Sequence, residues 1–392
     1  MLKIKSSLFL LGIIFFIFPA FAATKAGNSQ NVILTVSDIH FDPFLYCEQK
    51  KLAPCPLISQ LRLASPKDWA AIFKKYKTKA PAYKEDTSYA LLNTSLAEIK
   101  KIADEEKPRF VFILGDELGH EYRGYYKQYA KDKSYKGFQS FVKKTLAFLT
   151  LQFSQTFPTN DVYSLIGNND EYLGDYVTEV GNSFYKDAGG LWSSLIKDPA
   201  TRVSMEKQFS KAGYYAVDVP HLPSLRLIVL NSVIFSYKVE GRRVDKAAKD
   251  ELQWFHQQLE DAAQKNQKVF ILMHIPPSYD VYIARDIKLF TLFNLWHKEY
   301  IQTFLKDLND YSRIIVSVFA SHLHTDWQQV DEMQNGDKIS MFGTPSISPI
   351  FGNDPAFKLY FYDPSNLHVI DYTTYTYPLW PGNAWISSHV EQ

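Results

Sequence analysis

Cysteine is nearly absent from this chain: Cys47 and Cys55 are the only two among 392 residues. So sparse a pair cannot be the disulfide framework that small exported proteins use in place of a core. The two thiols either oxidise to each other after export or stay free in a loop. Charge excess is missing too, since 43 Lys and Arg nearly cancel 42 Asp and Glu. That balance argues against a scaffold held to nucleic acid by bulk electrostatics. Beyond Phe18 no apolar run approaches the roughly 20 residues of a stable membrane span. No internal repeat or linker interrupts the chain, and a hydrophobic content of 46% argues against disorder.

What is present begins with an address label. Lys3 and Lys5 precede an apolar run from Leu8 to Phe18, and Ala20-Phe21-Ala22 offers small residues at signal-peptidase spacing. Residues 1–22 are therefore expected to be a cleaved signal peptide, with the product secreted or periplasmic; the alternative is an uncleaved anchor. About 370 residues remain, enough for one large α/β domain or two small ones. Without a linker, one domain over residues 23–392 is the economical expectation. A glycosylation sequon, Asn93-Thr94-Ser95, falls inside a predicted helix.

Short apolar runs rich in β-branched and aromatic residues recur along the chain, each stopped by polar residues with metal-binding chemistry. Val32–Val36 leads into Asp38-Ile39-His40, Phe110–Leu114 into Gly115-Asp116, and Tyr163–Ile166 into Gly167-Asn168-Asn169-Asp170. Val269–Met273 leads into His274 and Ile314–Ala320 into His322-Leu323-His324, whereas Leu225–Leu230 ends at Asn231 with no such group. Such runs suit strands buried on both faces. Between them, Tyr89–Asp104 and Asp250–Lys265 carry helical periodicity. Alternation of this kind predicts a largely parallel sheet under helices, with the ligand site where the carboxyl ends of strands meet. After His324 come apparent antiparallel strands at Ile339–Phe342, Lys358–Tyr362 and Leu367–Tyr372, with a turn at Asp363–Asn366, that either finish the sheet or form a second sheet packed on it.

Each polar cluster alone is weak, because a polar residue after a strand is normally just a turn. Their conjunction, in the order Asp-x-His, Gly-Asp, Gly-Asn, His, His-x-His, is not, and it resembles the calcineurin-like metallophosphoesterases. The segments SDIHFDP, GDELGHE, MHIPPS, SHLHTD and TPSISPIFGNDPAFKLYFYDP are similar to the acid sphingomyelinase-like phosphodiesterase branch. The resemblance spans about residue 31 to 372 and implies a four-layer α/β/β/α sandwich with mixed sheets and a two-metal site. It implies that Asp38, His40 and His324 hold one ion, that Asn168, His274 and His322 hold the other, and that Asp116 bridges them. Imidazole, carboxylate and amide oxygen suit two divalent ions, zinc foremost, with manganese or iron as alternatives. Such a pair activates a bridging hydroxide for attack on phosphorus.

Asn169 departs from the family pattern, which usually places His there. An amide can donate to a phosphoryl oxygen but cannot deliver a proton near neutral pH. The Gly-Asn-Asn-Asp version is similar to that of endopolyphosphatases, and a phosphate leaving group needs less protonation. His120, four residues beyond Asp116, is the candidate to protonate the leaving group or contact the phosphate; the bland alternative is a loop histidine. The Tyr- and Lys-dense stretch Glu121–Tyr135 either roofs the site or is a solvated amphipathic helix. Tyr172, Asp175 and Tyr176 are candidates to border the pocket. His221, His256, His297, His368 and His389 have no motif around them and are expected to be structural or on the surface.

The expected activity is hydrolysis of phosphodiester or phosphoanhydride bonds in small soluble phosphorylated compounds such as nucleotides. The alternatives are an endopolyphosphatase, a sphingomyelin phosphodiesterase or a metal-binding protein without turnover. Asp38 follows the expected cleavage point too closely for the separate lipid-presenting domain of the family's sphingomyelinase. Nothing in the sequence fixes the oligomeric state.

Overall fold

The computed structural model describes residues 31–279, 294–380, 382 and 384–391. The expected signal peptide, residues 1–22, lies outside the described residues. In chain order the strands are β1 (Val32–Val36), β2 (Phe110–Ile113), β3 (Asp161–Ser164), β4 (Val177–Glu179), β5 (Tyr215–Val219), β6 (Leu222–Val229) and β7 (Glu240–Arg242). They continue with β8 (Lys268–Leu272), β9 (Ile315–Ala320), β10 (Trp327–Glu332), β11 (Lys338–Gly343), β12 (Ala356–Tyr362), β13 (Val369–Thr376) and β14 (Ile386–Glu391).

Two six-stranded sheets form, in the orders β14-β13-β12-β1-β2-β3 and β10-β11-β9-β8-β6-β5, beside a two-stranded ribbon of β4 and β7. β1, β2 and β3 run parallel, while β12, β13 and β14 complete their sheet antiparallel. In the other sheet β6, β8, β9 and β11 are parallel, with antiparallel β5 and β10 at its edges. The two mixed sheets are those of the α/β/β/α sandwich that the family resemblance implies, whereas strand–helix alternation alone pointed to a largely parallel sheet. Ile339–Phe342, expected to be antiparallel, joins β9 in parallel.

Burial explains the layering. Along β8, Val269 and Ile271 face a core shared with Leu252, Phe255 and Leu259 of helix Val244–Gln264 and with Tyr300, Phe304 and Leu308 of helix Lys298–Asp310. The intervening Phe270 and Leu272 belong to the core between the sheets, as the period-two alternation of a strand requires. There Phe319 packs on Phe112 at 5.5 Å and on Tyr360 at 5.2 Å, joining the two sheets ring to ring. The opposite layer is formed by helices Tyr89–Glu106 and Tyr135–Thr156, whose apolar faces include Leu92, Leu96, Ile99, Phe141, Leu149 and Phe153. The first starts where Ser88 Oγ accepts from the Leu91 amide at 3.2 Å and stops at left-handed Lys107. This is an α/β/β/α sandwich.

Cys47 and Cys55 form a disulfide with Cα atoms 5.7 Å apart, both residues fully buried. Asn93 lies exposed on helix Tyr89–Glu106.

Candidate metal centre

The carboxyl ends of β1, β2 and β3 in one sheet and of β8 and β9 in the other come together at one edge of the sandwich. Hydrogen bonds stitch the two sheets there. His274 Nδ1, after β8, donates to the Leu114 carbonyl after β2 at 2.7 Å, and Ser321 Oγ, after β9, donates to the same oxygen at 2.7 Å. Asp170 ties β2 to β3: its carboxylate accepts from the amides of Asp116 (2.9 Å), Glu117 (2.7 Å), Leu118 (3.1 Å) and Gly167 (2.8 Å).

All seven sequence-derived candidates gather at this edge. His40 Nε2 lies 3.2 Å from His324 Nε2 and 3.5 Å from Asp116 Oδ2. His324 Nε2 lies 3.4 Å from Asp38 Oδ1, and His274 Nε2 lies 3.2 Å from Asp116 Oδ2 and 3.1 Å from Asn168 Oδ1. Ligand atoms about 3.4 Å apart mark the edges of a tetrahedron around an ion with bonds of about 2.1 Å. Among the described residues three groups have ligand atoms within 4.8 Å of one another: Asp38 with His40 and His324, Asp116 with His274 and His322, and, sharing His40 toward the rim, His40 with Asp86 and His120. Asp116 Oδ2 faces His40 on one side and His274 on the other, the position of a shared ligand.

Three features show that this arrangement fits divalent cations. First, Asp38 Oδ1, which faces His324 Nε2, is buried with no hydrogen-bond partner, an unfavourable state for a carboxylate oxygen unless something else binds it. Second, burial, reinforced by the His120 charge, pulls His40 down to about 4, and burial likewise holds His324 well below the usual range. Both are therefore neutral imidazoles, the form that binds metal. With His40 Nδ1 directed at the Leu118 carbonyl at 3.1 Å, its Nε2 lone pair faces the His324 nitrogen. Third, Asp116 stays ionised: burial opposes its charge, but the charge and hydrogen bond of His274 hold it well below the carboxylate range. Burial lifts Asp38 to about 7, and the carboxylates Asp116 and Asp38 outweigh burial to hold His274 up at about 9.

The backbone is bent to bring these groups together. Asp38, His40, Asp116, His322 and His324 all have positive φ, between 43° and 70°, a region that costs non-glycine residues roughly 1–2 kcal/mol each. Two glycines permit the approach. A Cβ on Gly167 would stand 2.1 Å from Asp116 Oδ1, and one on Gly115 would stand 2.7 Å from the Gly167 nitrogen.

Above this floor opens a cleft of about 210 Å³ whose rim includes His120, Asp175, Tyr176, Lys238 and Phe351. His120 stacks on His40 with centroids 4.1 Å apart, and its Nδ1 lies 3.1 Å from Asp86 Oδ1. Burial disfavours its charge, but the Asp86 hydrogen bond and carboxylate prevail and raise it to about 9; cations in the adjacent floor would lower it again. Asp175 Oδ1 accepts from Asn168 Nδ2 at 2.7 Å, which turns the amide oxygen toward His274. The Tyr176 hydroxyl lies 3.0 Å from His322 Nε2.

Asn169 does not line the cleft. Its backbone and side-chain nitrogens donate to Asp116 Oδ1 and Oδ2 at 2.8 and 3.0 Å. Tyr172 is buried, edge-on to Phe184, with its hydroxyl on Asp187. The Tyr-rich stretch does not roof the site: it includes an amphipathic helix, Tyr122–Tyr129, that buries Tyr122, Tyr126 and Tyr129 among Phe44, Phe138 and Phe141 and leaves Lys127 and Gln128 exposed. None of His221, His256, His297, His368 and His389 borders the cleft. Sequence reasoning missed Asp86, which sits far from any motif, and gave no role to Asp170 although it stands inside one. Ser321, directly before His322, was likewise passed over.

The calcineurin-like phosphoesterase family model matches residues 32–326. The chain is 25% identical over 362 residues to acid sphingomyelinase-like phosphodiesterase 3b of Homo sapiens, covering 89% of this chain and 71% of that protein. It is 25% identical over 363 residues to the cyclic GMP-AMP phosphodiesterase SMPDL3A of Bos taurus, covering 90% and 72%. Its fold is similar to that of a dimetal phosphatase from Danio rerio, with a TM-score of 0.50 and 12% identity over 91% of this chain and 98% of that one. A family model matched over residues 32–326, with buried clusters that suit two ions, leads to one conclusion: the chain belongs to the calcineurin-like phosphoesterase family, in its acid sphingomyelinase-like branch, and is a metal-dependent phosphodiesterase.

Proposed function

We propose that Asp38, His40, Asp116, Asn168, His274, His322 and His324 hold two divalent ions, of which zinc best suits the nitrogen-rich donor set. The reaction is hydrolysis of phosphodiester or phosphoanhydride bonds in small soluble phosphorylated compounds of the nucleotide kind. The observation that carries this reading is the convergence of seven polar side chains from two sheets, with facing donor atoms 3.1–3.5 Å apart and buried atoms that lack partners. When bound, two ions supply Lewis-acid polarisation of the phosphoryl group and a water acidic enough to act as nucleophile near neutral pH.

The chain's own residues prepare for that chemistry. The Leu114 carbonyl fixes the His274 tautomer so that Nε2 faces the site. Asn169 acts as a brace for Asp116, in place of the substrate contact suggested by its position after Asn168. Asp86 holds His120 protonated, with the ring at the cleft edge, ready to donate a proton to the departing oxygen or to neutralise a phosphoryl oxygen. Small nucleotide diesters as substrates are supported by the similarity to a cyclic GMP-AMP phosphodiesterase. Export after removal of residues 1–22, with residues 23–392 as one domain, is supported by the Lys-flanked apolar leader and by the Cys47–Cys55 disulfide.

Metal analysis of the purified protein with assay of bis(p-nitrophenyl) phosphate tests this. The expected result is two ions per chain, with activity lost on chelation and regained on zinc or manganese addition. Two bound ions with no turnover of any phosphoester would overturn the enzymatic reading in favour of a metal-binding protein.

A further inference from the structure

The near-cancelling totals of charge hide a local imbalance. Between residues 50 and 84 stand eight lysines and Arg62 against a single acid, Asp68. Folding gathers six of these lysines, Lys50, Lys51, Lys74, Lys75, Lys77 and Lys79, on one stretch of surface. The Cys47–Cys55 disulfide closes the loop that carries Lys50 and Lys51. Gln49 Oε1 accepts from the Lys79 amide at 2.9 Å, and Tyr46 stands edge-on to Tyr76 at 5.1 Å, so the chain from 74 to 79 lies against helix Leu45–Lys50. All six lysines are exposed, and among the described residues none has a carboxylate at ion-pair distance. Lys143, Lys246, Lys249 and Lys306, exposed elsewhere, each face one. Cations held together without counter-charges repel one another, which favours an anion that covers them.

Lys74 and Lys77 also line a groove of about 280 Å³ with Tyr46, Tyr76, Tyr89 and Asn93, none of which borders the metal cleft. Asp42 contributes little charge to it, being 5% exposed with its carboxylate on the Phe44 amide at 2.6 Å. A concave cationic groove suits a chain better than a flat layer, and Leu63 and Tyr83 are the large exposed apolar side chains of residues 50–84, too few to enter a lipid surface. The rings here are engaged with one another, Tyr46 with Tyr76 and Tyr89 stacked on Phe73 at 4.9 Å, and so offer no open platform for bases. The cations are lysines, point charges suited to phosphate oxygens, while Arg62, the side chain able to read a base edge with two hydrogen bonds, is taken by Asp132.

We propose that this lysine surface is a binding site, separate from the two-metal cleft, for a linear chain of phosphate groups without bases, of the inorganic polyphosphate kind. Close-set lysines call for an anion at every repeat of the partner, which such a chain supplies. The site stands independently of the phosphoesterase reading. Six contacts to a flexible polyanion correspond to a slope of log affinity against log salt of about −4.

The test measures binding of end-labelled inorganic polyphosphate, by fluorescence anisotropy, to the native protein and to Asp116→Ala, whose metal centre is broken; comparable affinity is expected. Combined Lys74→Gln, Lys77→Gln and Lys79→Gln should raise Kd at least about tenfold and reduce the salt slope to about −2. Lys74→Arg, Lys77→Arg and Lys79→Arg together should keep the native Kd, as should the combined Lys246→Gln, Lys249→Gln and Lys306→Gln, which removes as much charge elsewhere. No binding by the native protein, equal weakening by the two glutamine sets, or loss in the arginine set overturns the inference. So does loss in Asp116→Ala, which would put the chain at the metal centre. Tighter binding of a single-stranded oligonucleotide, a sulfated polysaccharide or anionic-lipid vesicles than of polyphosphate overturns it as well.

Discussion

The floor of the cleft and its rim obey different rules. Every floor residue but His322 is buried, most sit in left-handed backbone, and their partners are backbone carbonyls or buried carboxylates on the ends of parallel strands. The rim residues lie on loops, with Asp175 and Tyr176 just before β4 and Lys238 just before β7, are more open, and touch the floor through contacts such as Tyr176 to His322. Chemistry that tolerates little misplacement is thus built on the rigid edge of two sheets. Substituent recognition is left to segments that can vary without disturbing it.

Breaking the floor should have the largest effect. Asp116→Ala removes the carboxylate that faces both donor groups, and activity is expected to fall by at least about 10³-fold with loss of bound metal, read by metal analysis and rate. Asp170→Ala leaves four buried amides without an acceptor, so unfolding free energy is expected to drop by about 3–5 kcal/mol in a denaturant titration, with metal affinity falling alongside. If Asp170→Ala kept native stability, the floor would not be the stiff element described.

The rim should separate rate from metal. Asp86→Ala is expected to lower kcat about 10–100-fold while both ions remain, because its main partner is His120. An equal loss of metal would erase the distinction between rim and floor. Tyr176→Phe should cost about fivefold in kcat/KM, the worth of one hydrogen bond of about 1 kcal/mol.

A buried carboxyl remote from the cleft sharpens the contrast in stability. Asp116 is held ionised by histidines, whereas burial pushes Glu251 well above its usual value of 4.5, its main relief being the Asn231 amide. Folded Glu251 therefore keeps its proton where the unfolded chain has released it. Its contribution is full below about pH 4.5 and is lost as pH rises toward the folded value. Glu251→Gln, which keeps the acceptor, should raise the melting temperature at pH 8 more than at pH 4. An equal gain at both would rule out a proton-linked origin.

Much of this was legible because strands and their polar ends leave local traces. Val32–Val36 was placed to the residue, and β2, β8 and β9 to within one, since continuous apolar runs stopped by polar groups need no tertiary context to be recognised. Helix Tyr135–Thr156 carries an equally clear pattern in Phe138, Phe141, Val142, Thr145, Leu146, Leu149 and Phe153, directly after the Tyr-rich stretch. Asp86 left no trace. It lies 34 residues from His120 on a loop, and only folding brings the carboxylate to the ring.

The sequence by itself determined which strands end in metal-binding chemistry and which donor types each supplies, because side-chain identity and strand burial are properties of short segments. The tertiary structure alone decided which strands go to which sheet and that their ends face each other, that Asn169 braces Asp116, that the tyrosines of helix Tyr122–Tyr129 turn into the core, and that Asp86 meets His120. Each of these depends on contacts between residues far apart in the chain, whose geometry is set by how whole layers pack and is encoded in no local period or motif.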